Sequence, residues 1–166
     1  MEGGEEVNNQ EVERYFDEYI LPPKGFIYND IEREIDLARM GMDSGNFLSA
    51  LALLCYTDFM GLILLRGKGN IEQRFNSFID LMGDSYKQLR KRINIYKDFR
   101  CGMVHNYFIR RCIVVMLNKG NSSGIVEITN GQYAFIVEKY FEDFMNACHQ
   151  LYSQMAEEQN PYLPST

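Results

Sequence analysis

Arg100 and His105 stand five residues apart in the run Phe99-Arg100-Cys101-Gly102-Met103-Val104-His105-Asn106-Tyr107. Arginine is a fixed cation that can clamp a phosphate. Histidine is the side chain best placed to move a proton near neutral pH. Such a pair can serve phosphoryl chemistry by charge neutralisation and general acid–base help, with no metal and no cofactor. Asn106 and Tyr107 follow directly and are read as supporting residues. On an ideal helix, positions five apart diverge by about 140° around the axis. Convergence therefore needs Arg100 in a turn before the helix, a break at Gly102, or a second subunit's pair.

Other chemistry competes for the same residues. Asp58 lies in an otherwise apolar stretch, where a carboxylate needs a cation. Arg100 or His105 is the natural candidate, as an orienting contact or as a purely structural ion pair. Asp98 is a second candidate partner for Arg100. Cys101 and His105, four apart, share a face of a continuous helix and allow a thiolate–imidazole pair or half a zinc site. Zinc would need two further ligands, and Cys112 is the only one nearby. No metal site and no cofactor is therefore expected. The chain has no P-loop, no G-x-G-x-x-G, no H-E-x-x-H and no G-x-S-x-G, which argues against ATPase, dehydrogenase, zincin and serine-hydrolase readings.

Charge is unevenly spread. Residues 84–111 hold eight basic side chains, Lys87, Arg90, Lys91, Arg92, Lys97, Arg100, Arg110 and Arg111, against Asp84 and Asp98 alone. Yet the chain as a whole carries a net charge of −6. A basic strip on an acidic protein can focus a polyanion locally. Lys87, Arg90, Lys91, Lys97, Arg110 and Arg111 are the candidate RNA contacts, with Tyr96, Tyr107 and Phe108 as aromatic flanks that could stack bases. The competing reading is a solvated helix face.

The 166 residues suit one domain, and 46% apolar content is enough for a core. No uninterrupted apolar run approaches the ~20 residues of a membrane span, because Thr57 and Asp58 divide the longest one. The acidic start, Met1-Glu2-Gly3-Gly4-Glu5-Glu6, does not read as a signal peptide. Cys55, Cys101, Cys112 and Cys148 form no C-x-x-C pair and are expected as reduced thiols. A cytoplasmic protein with no membrane partner is the expectation.

The elements that must position these residues read as mostly helical. Residues 1–8 are expected to be disordered. One domain spans residues 9–156, and residues 157–166 form a flexible tail. Asn9 is read as the cap of a first helix with Val12, Tyr15, Phe16, Tyr19 and Ile20 on one face. A second helix opens at Asn29 or Asp30. A third, from Phe47 to about Arg66, is apolar around most of its circumference and is expected to be the most buried. Asn70 caps a fourth. Asp84 and Ser85 open a long basic helix that runs into Arg100 and His105. The period then changes: residues 112–129 read as a β-hairpin turning at Lys119–Gly124. A last helix is expected from Gln132 to Ala156. The fold class is thus a mostly α antiparallel bundle of five or six helices, with one β-hairpin inserted before the last helix.

This architecture, with Arg100-Cys-Gly-Met-Val-His105 at the start of a late helix, resembles the HEPN superfamily (higher eukaryotes and prokaryotes nucleotide-binding domains) through its R-x4-6-H motif. Residues 95–108 also look like a group of uncharacterised bacterial proteins near that superfamily. The resemblance implies a metal-independent endoribonuclease in active members, acting as a homodimer with two motifs in one cleft. Arg100 would then hold the scissile phosphate and His105 would move the proton. Other members serve as non-catalytic interaction or scaffold modules with a protein partner. Cys101 stands where active members often have a polar residue after the arginine.

Overall fold

Asn8 and Asn70 start helices by the same device. Each side-chain oxygen accepts from the backbone amide three residues on, while Glu11 and Gln73 reach back to the cap's own amide. These capping boxes open α1 (Asn9–Tyr19) and α4 (Ile71–Leu81). The first cap is thus Asn8, one residue earlier than Asn9, whose amide instead donates to the Ala156 carbonyl at 3.0 Å. The computed structural model describes residues 8–106, 111–159 and 161–164. Its remaining helices are α2 (Phe26–Arg39), α3 (Asn46–Leu64), α5 (Asp84–Arg90), α6 (Gly102–Asn106) and α7 (Val137–Ala156), with a π-helical segment at Tyr96–Cys101.

The protein is mostly helical with one small sheet. The helix count exceeds the expected five or six because the basic stretch is not one helix. α5 ends at Arg90, and Asn94 starts a second rod by accepting from the Lys97 amide at 3.0 Å. α2 begins at Phe26, ahead of Asn29, whose side chain donates to the Pro23 and Gly25 carbonyls instead of opening the helix.

The hairpin expectation is corrected. β1 (Cys112–Val115) and β2 (Ile125–Thr129) do not pair; both flank β3 (Gln132–Ile136), β1 in parallel and β2 antiparallel. The true hairpin turns at Asn130-Gly131, where Gly131 has φ 71°, a conformation glycine adopts without strain. β3 occupies residues expected in the last helix, which starts only at Val137.

Helix α7 and helix α3 build the centre. α7 buries nine of its 20 residues and α3 eight of its 19, and α3, expected to be the most buried helix, leaves only Leu48 exposed. Its apolar residues run right round the helix, and Phe47, Leu51, Ala52, Tyr56, Phe59 and Leu64, though only partly buried, pack against the core. By length and composition α3 is also apolar enough to cross a membrane, with 44% of that window buried. Phe16, Phe75, Phe78, Phe135 and Phe144 are fully buried. The Thr57 and Tyr140 hydroxyls share a buried 2.8 Å hydrogen bond that ties α3 to α7. In the segment expected as a flexible tail, Pro161 is buried and Leu163 packs against the core.

Candidate functional site

The π-helical segment puts Arg100 beside α3. Its Nε donates to Asp58 Oδ2 at 2.7 Å, and the two side chains are only 19% and 14% exposed. The guanidinium also lies over the Tyr96 ring, 5.8 Å from its centroid. Burial opposes the Arg100 charge, but the field and hydrogen bond of Asp58 outweigh it and raise the arginine's pKa. For Asp58 the balance goes the other way. Burial dominates the attraction of Arg100, so its carboxyl is held above the usual range. Its second oxygen, Oδ1, is buried without a hydrogen-bond partner among the described residues. The expected partnership of Asp58 with Arg100 is thus present in the structure, and Asp98 is exposed and outside it.

His105 lies one turn on, in α6, and is exposed. Among the described residues its side chain makes no hydrogen bond and no ion pair. Asn106 ends α6; Tyr107, Phe108 and Arg110 lie outside the described residues. Tyr96 packs edge-on against Phe75 at 5.6 Å, so its ring is part of the core edge, not a free stacking platform.

The basic strip is less basic in three dimensions than in sequence. Arg90 is paired with Asp80 and Arg92 with Glu127. Lys87 pairs with Asp84 at 3.0 Å. Lys91, Lys97 and Arg111 are exposed and have no ion-pair partner among the described residues. Arg90, Lys91 and Arg92 line an open groove of about 340 Å³ together with Glu72 and Asn94, so its wall carries both signs of charge. The neutralising carboxylates of Asp80, Glu127 and Asp58 all lie outside residues 84–111. No count within that window could have found them.

Burial raises the pKa of Cys55, Cys112 and Cys148, Cys112 to about 11, which disfavours the reactive thiolate. No group of three or more His, Cys, Asp or Glu side chains is placed to hold a metal among the described residues. A network with no signature in the sequence joins three elements. Tyr86 of α5 donates to Asp143 of α7 at 2.8 Å and accepts from the Gly124 amide at 3.0 Å, while Lys139 holds the other Asp143 oxygen at 3.0 Å. No protein-family profile, curated protein or solved structure matches this chain.

Proposed function

We propose that this chain acts as a non-catalytic, HEPN-like protein-interaction module in which Arg100 serves the fold. The observation that supports this reading is the Arg100–Asp58 pair. A guanidinium bonded to a mostly buried carboxylate and stacked on Tyr96 must give up those contacts before it can clamp a phosphate. The pairing of Arg90 and Arg92 with acidic side chains lowers the field available to a polyanion in the same direction.

A second reading keeps a specific observation in its favour. His105 is exposed, unbonded among the described residues and one turn beyond Arg100, with Lys97 exposed on the same segment. That arrangement suits metal-independent RNA cleavage if two copies place their Arg100 and His105 in one cleft. Labelled single-stranded RNA incubated with the full chain in EDTA separates the two. The module reading expects no cleavage and no salt-sensitive binding. Cleavage that disappears in His105→Ala would overturn it in favour of the nuclease.

A further inference from the structure

Seven large apolar side chains are exposed among the described residues, and three of them, Met40, Met42 and Leu48, fall within nine positions where α2 turns into α3. Met40 is 73% exposed and Leu48 69%. Local bonds gather them at one corner. The Met42 amide donates to the Leu37 carbonyl at 2.9 Å, which folds Met42 back onto the end of α2. The Gly45 amide donates to the Glu34 carboxylate at 2.9 Å, and the Leu48 Cβ lies 3.7 Å from where a Gly45 Cβ would stand, which brings Leu48 beside α2. Single exposed apolar residues are ordinary, but a group of them marks a contact surface. Methionine is over-used at such surfaces because its unbranched side chain adapts to the shape of a partner.

Met40 also ends an open groove of about 330 Å³ along the outer stripe of α2. Asn29, Glu32, Arg33, Asp36, Leu37 and Met40 line it, one helical stripe opposite the buried Ile27, Ile31 and Ile35. At about 100° per residue its two flanks differ in chemistry. Leu37 is on the flank towards α3, where Glu34 meets Gly45. Glu32 and Asp36 are on the flank towards α7, where Arg39 reaches Glu138 at 2.8 Å. Arg39 also holds Glu32 at 2.9 Å and Asp36 at 2.8 Å, so one guanidinium serves three carboxylates and two negative charges are left over. Arg33, the groove's own cation, already has Glu34 at 3.4 Å. Asp43, between Met42 and Leu48 in sequence, is exposed and has no ion-pair partner among the described residues.

We propose that this corner is the docking surface for a basic amphipathic helix of another protein, which lies along the outer stripe of α2, sets Lys or Arg side chains against Glu32 and Asp36, and covers Leu37, Met40 and Leu48 with its apolar residues. Charge complementarity names the occupant. A second copy of the corner would bring carboxylate against carboxylate, and an anionic membrane would meet the same repulsion. Shape agrees with charge. From Asn29 to Met40 the stripe runs about 16 Å at about 1.5 Å per residue, three turns that a partner helix can follow. An amphipathic helix carries its basic and apolar residues on adjacent faces, as the acidic and apolar flanks of this groove require.

The inference rests on the module reading and names the chemistry of its partner. The probe is a synthetic amphipathic helix of leucine and lysine, titrated into the isotope-labelled full chain. Amide resonances should shift between Asn29 and Leu48 and at Glu138, with an affinity that falls as salt is raised. Met40→Ser and Leu48→Ser together should weaken binding by about tenfold with an unchanged circular dichroism spectrum. Met40→Ser alone, at an exposed position, serves if the pair fails to fold. Asp36→Asn should weaken binding less and flatten its salt dependence, and Ile113→Ser on the sheet should leave it unchanged. A leucine–glutamate helix should not bind. Binding that ignores Met40 and Leu48, shifts centred elsewhere, or equal affinity for the glutamate helix would overturn the proposal. So would corner resonances that move with chain concentration alone, which assign the surface to a second copy, or phosphatidylcholine–phosphatidylglycerol vesicles that displace the peptide, which assign it to a membrane. RNA cleavage beside a working corner fails the module reading alone, whereas no peptide binding together with no cleavage fails this inference alone.

Discussion

Arg100 Nε and Asp58 Oδ2, 42 positions apart in sequence, lie 2.7 Å apart and fasten the π-helical segment to the middle of α3. Removing the arginine strands a carboxylate that already has one buried oxygen without a partner. Arg100→Ala should therefore destabilise the fold by about 3 kcal/mol, the order found when one member of a mostly buried pair is deleted. Asp58→Ala and Arg100→Ala combined should cost less than the sum of the two single changes. Urea midpoints of the four proteins check this. Unchanged stability in Arg100→Ala would release the guanidinium for a phosphate and favour the nuclease reading.

Asp58 also makes stability depend on pH in a direction opposite to that of most ion-paired carboxylates. Burial, acting against the pull of Arg100, holds its carboxyl above its ordinary value of 3.8. The folded chain thus binds that proton more tightly than the unfolded chain does. The resulting stability is complete below the unfolded value and is lost as pH rises through the folded one. Wild type compared with Asp58→Asn should lose relative stability over a window that opens near pH 3.8 and lies above it. Denaturation midpoints across that window measure the difference. A relative stability that grows with rising pH would show that Arg100 outweighs burial.

The parts of this fold that rest on local chemistry were legible in the sequence. Asn70 caps α4 because its amide oxygen reaches a backbone donor three residues away, whatever the rest of the chain does. Asp58 could be matched to Arg100 because a carboxylate in an apolar helix demands a cation. What sequence reading missed depends on distant residues. Arg92 is neutralised by Glu127, 35 positions on, so the basic strip loses charge only once the sheet is in place. β3 was hidden because Phe135, Ile136 and Tyr140 fit a helical face as well as Tyr133 and Phe135 fit an alternating strand. Asn130-Gly131 with φ 71° at the glycine decides between them. The π-helical segment leaves apolar spacing almost unchanged and has no residue signature of its own.

Gly61 sets how closely α3 and α4 approach. A Cβ built there would fall on the Arg74 carbonyl and lie only 3.0 Å from the Arg74 Cα, backbone that cannot swing aside. Gly61→Ala should then force the two helices apart, at a cost of about 1–3 kcal/mol in spite of alanine's better helix propensity. Gly45→Ala makes a useful comparison, since its nearest neighbour would be a Glu34 side-chain oxygen at 3.4 Å. Thermal melts should show a clear loss for the first substitution and a small change for the second. Equal effects would mean that α3–α4 packing tolerates the extra methyl.

Tyr86 tests the network that holds α5, α7 and the start of β2 together. Its ring is fully buried and meets Tyr140 edge-on at 5.8 Å, a contact phenylalanine keeps. Its hydroxyl is the only partner among the described residues for the buried Gly124 amide, and it supplies one of the bonds to Asp143. Burial comes first, and the Asp143 charge second, in raising its pKa well above the ordinary tyrosine value, so the hydroxyl stays protonated and donates to the carboxylate. Tyr86→Phe therefore removes one donor and one acceptor while leaving the shape of the core alone. The stranded Gly124 amide carries most of the cost, about 1–3 kcal/mol for a buried group left unsatisfied. Asp143 loses less, because Lys139 still holds its other oxygen at 3.0 Å. Hydrogen exchange should then quicken at Gly124 and at Ile136, whose amide donates to the Gly124 carbonyl at 2.8 Å, well before exchange rises in α3. Uniform acceleration throughout the chain would instead make the network part of the global core.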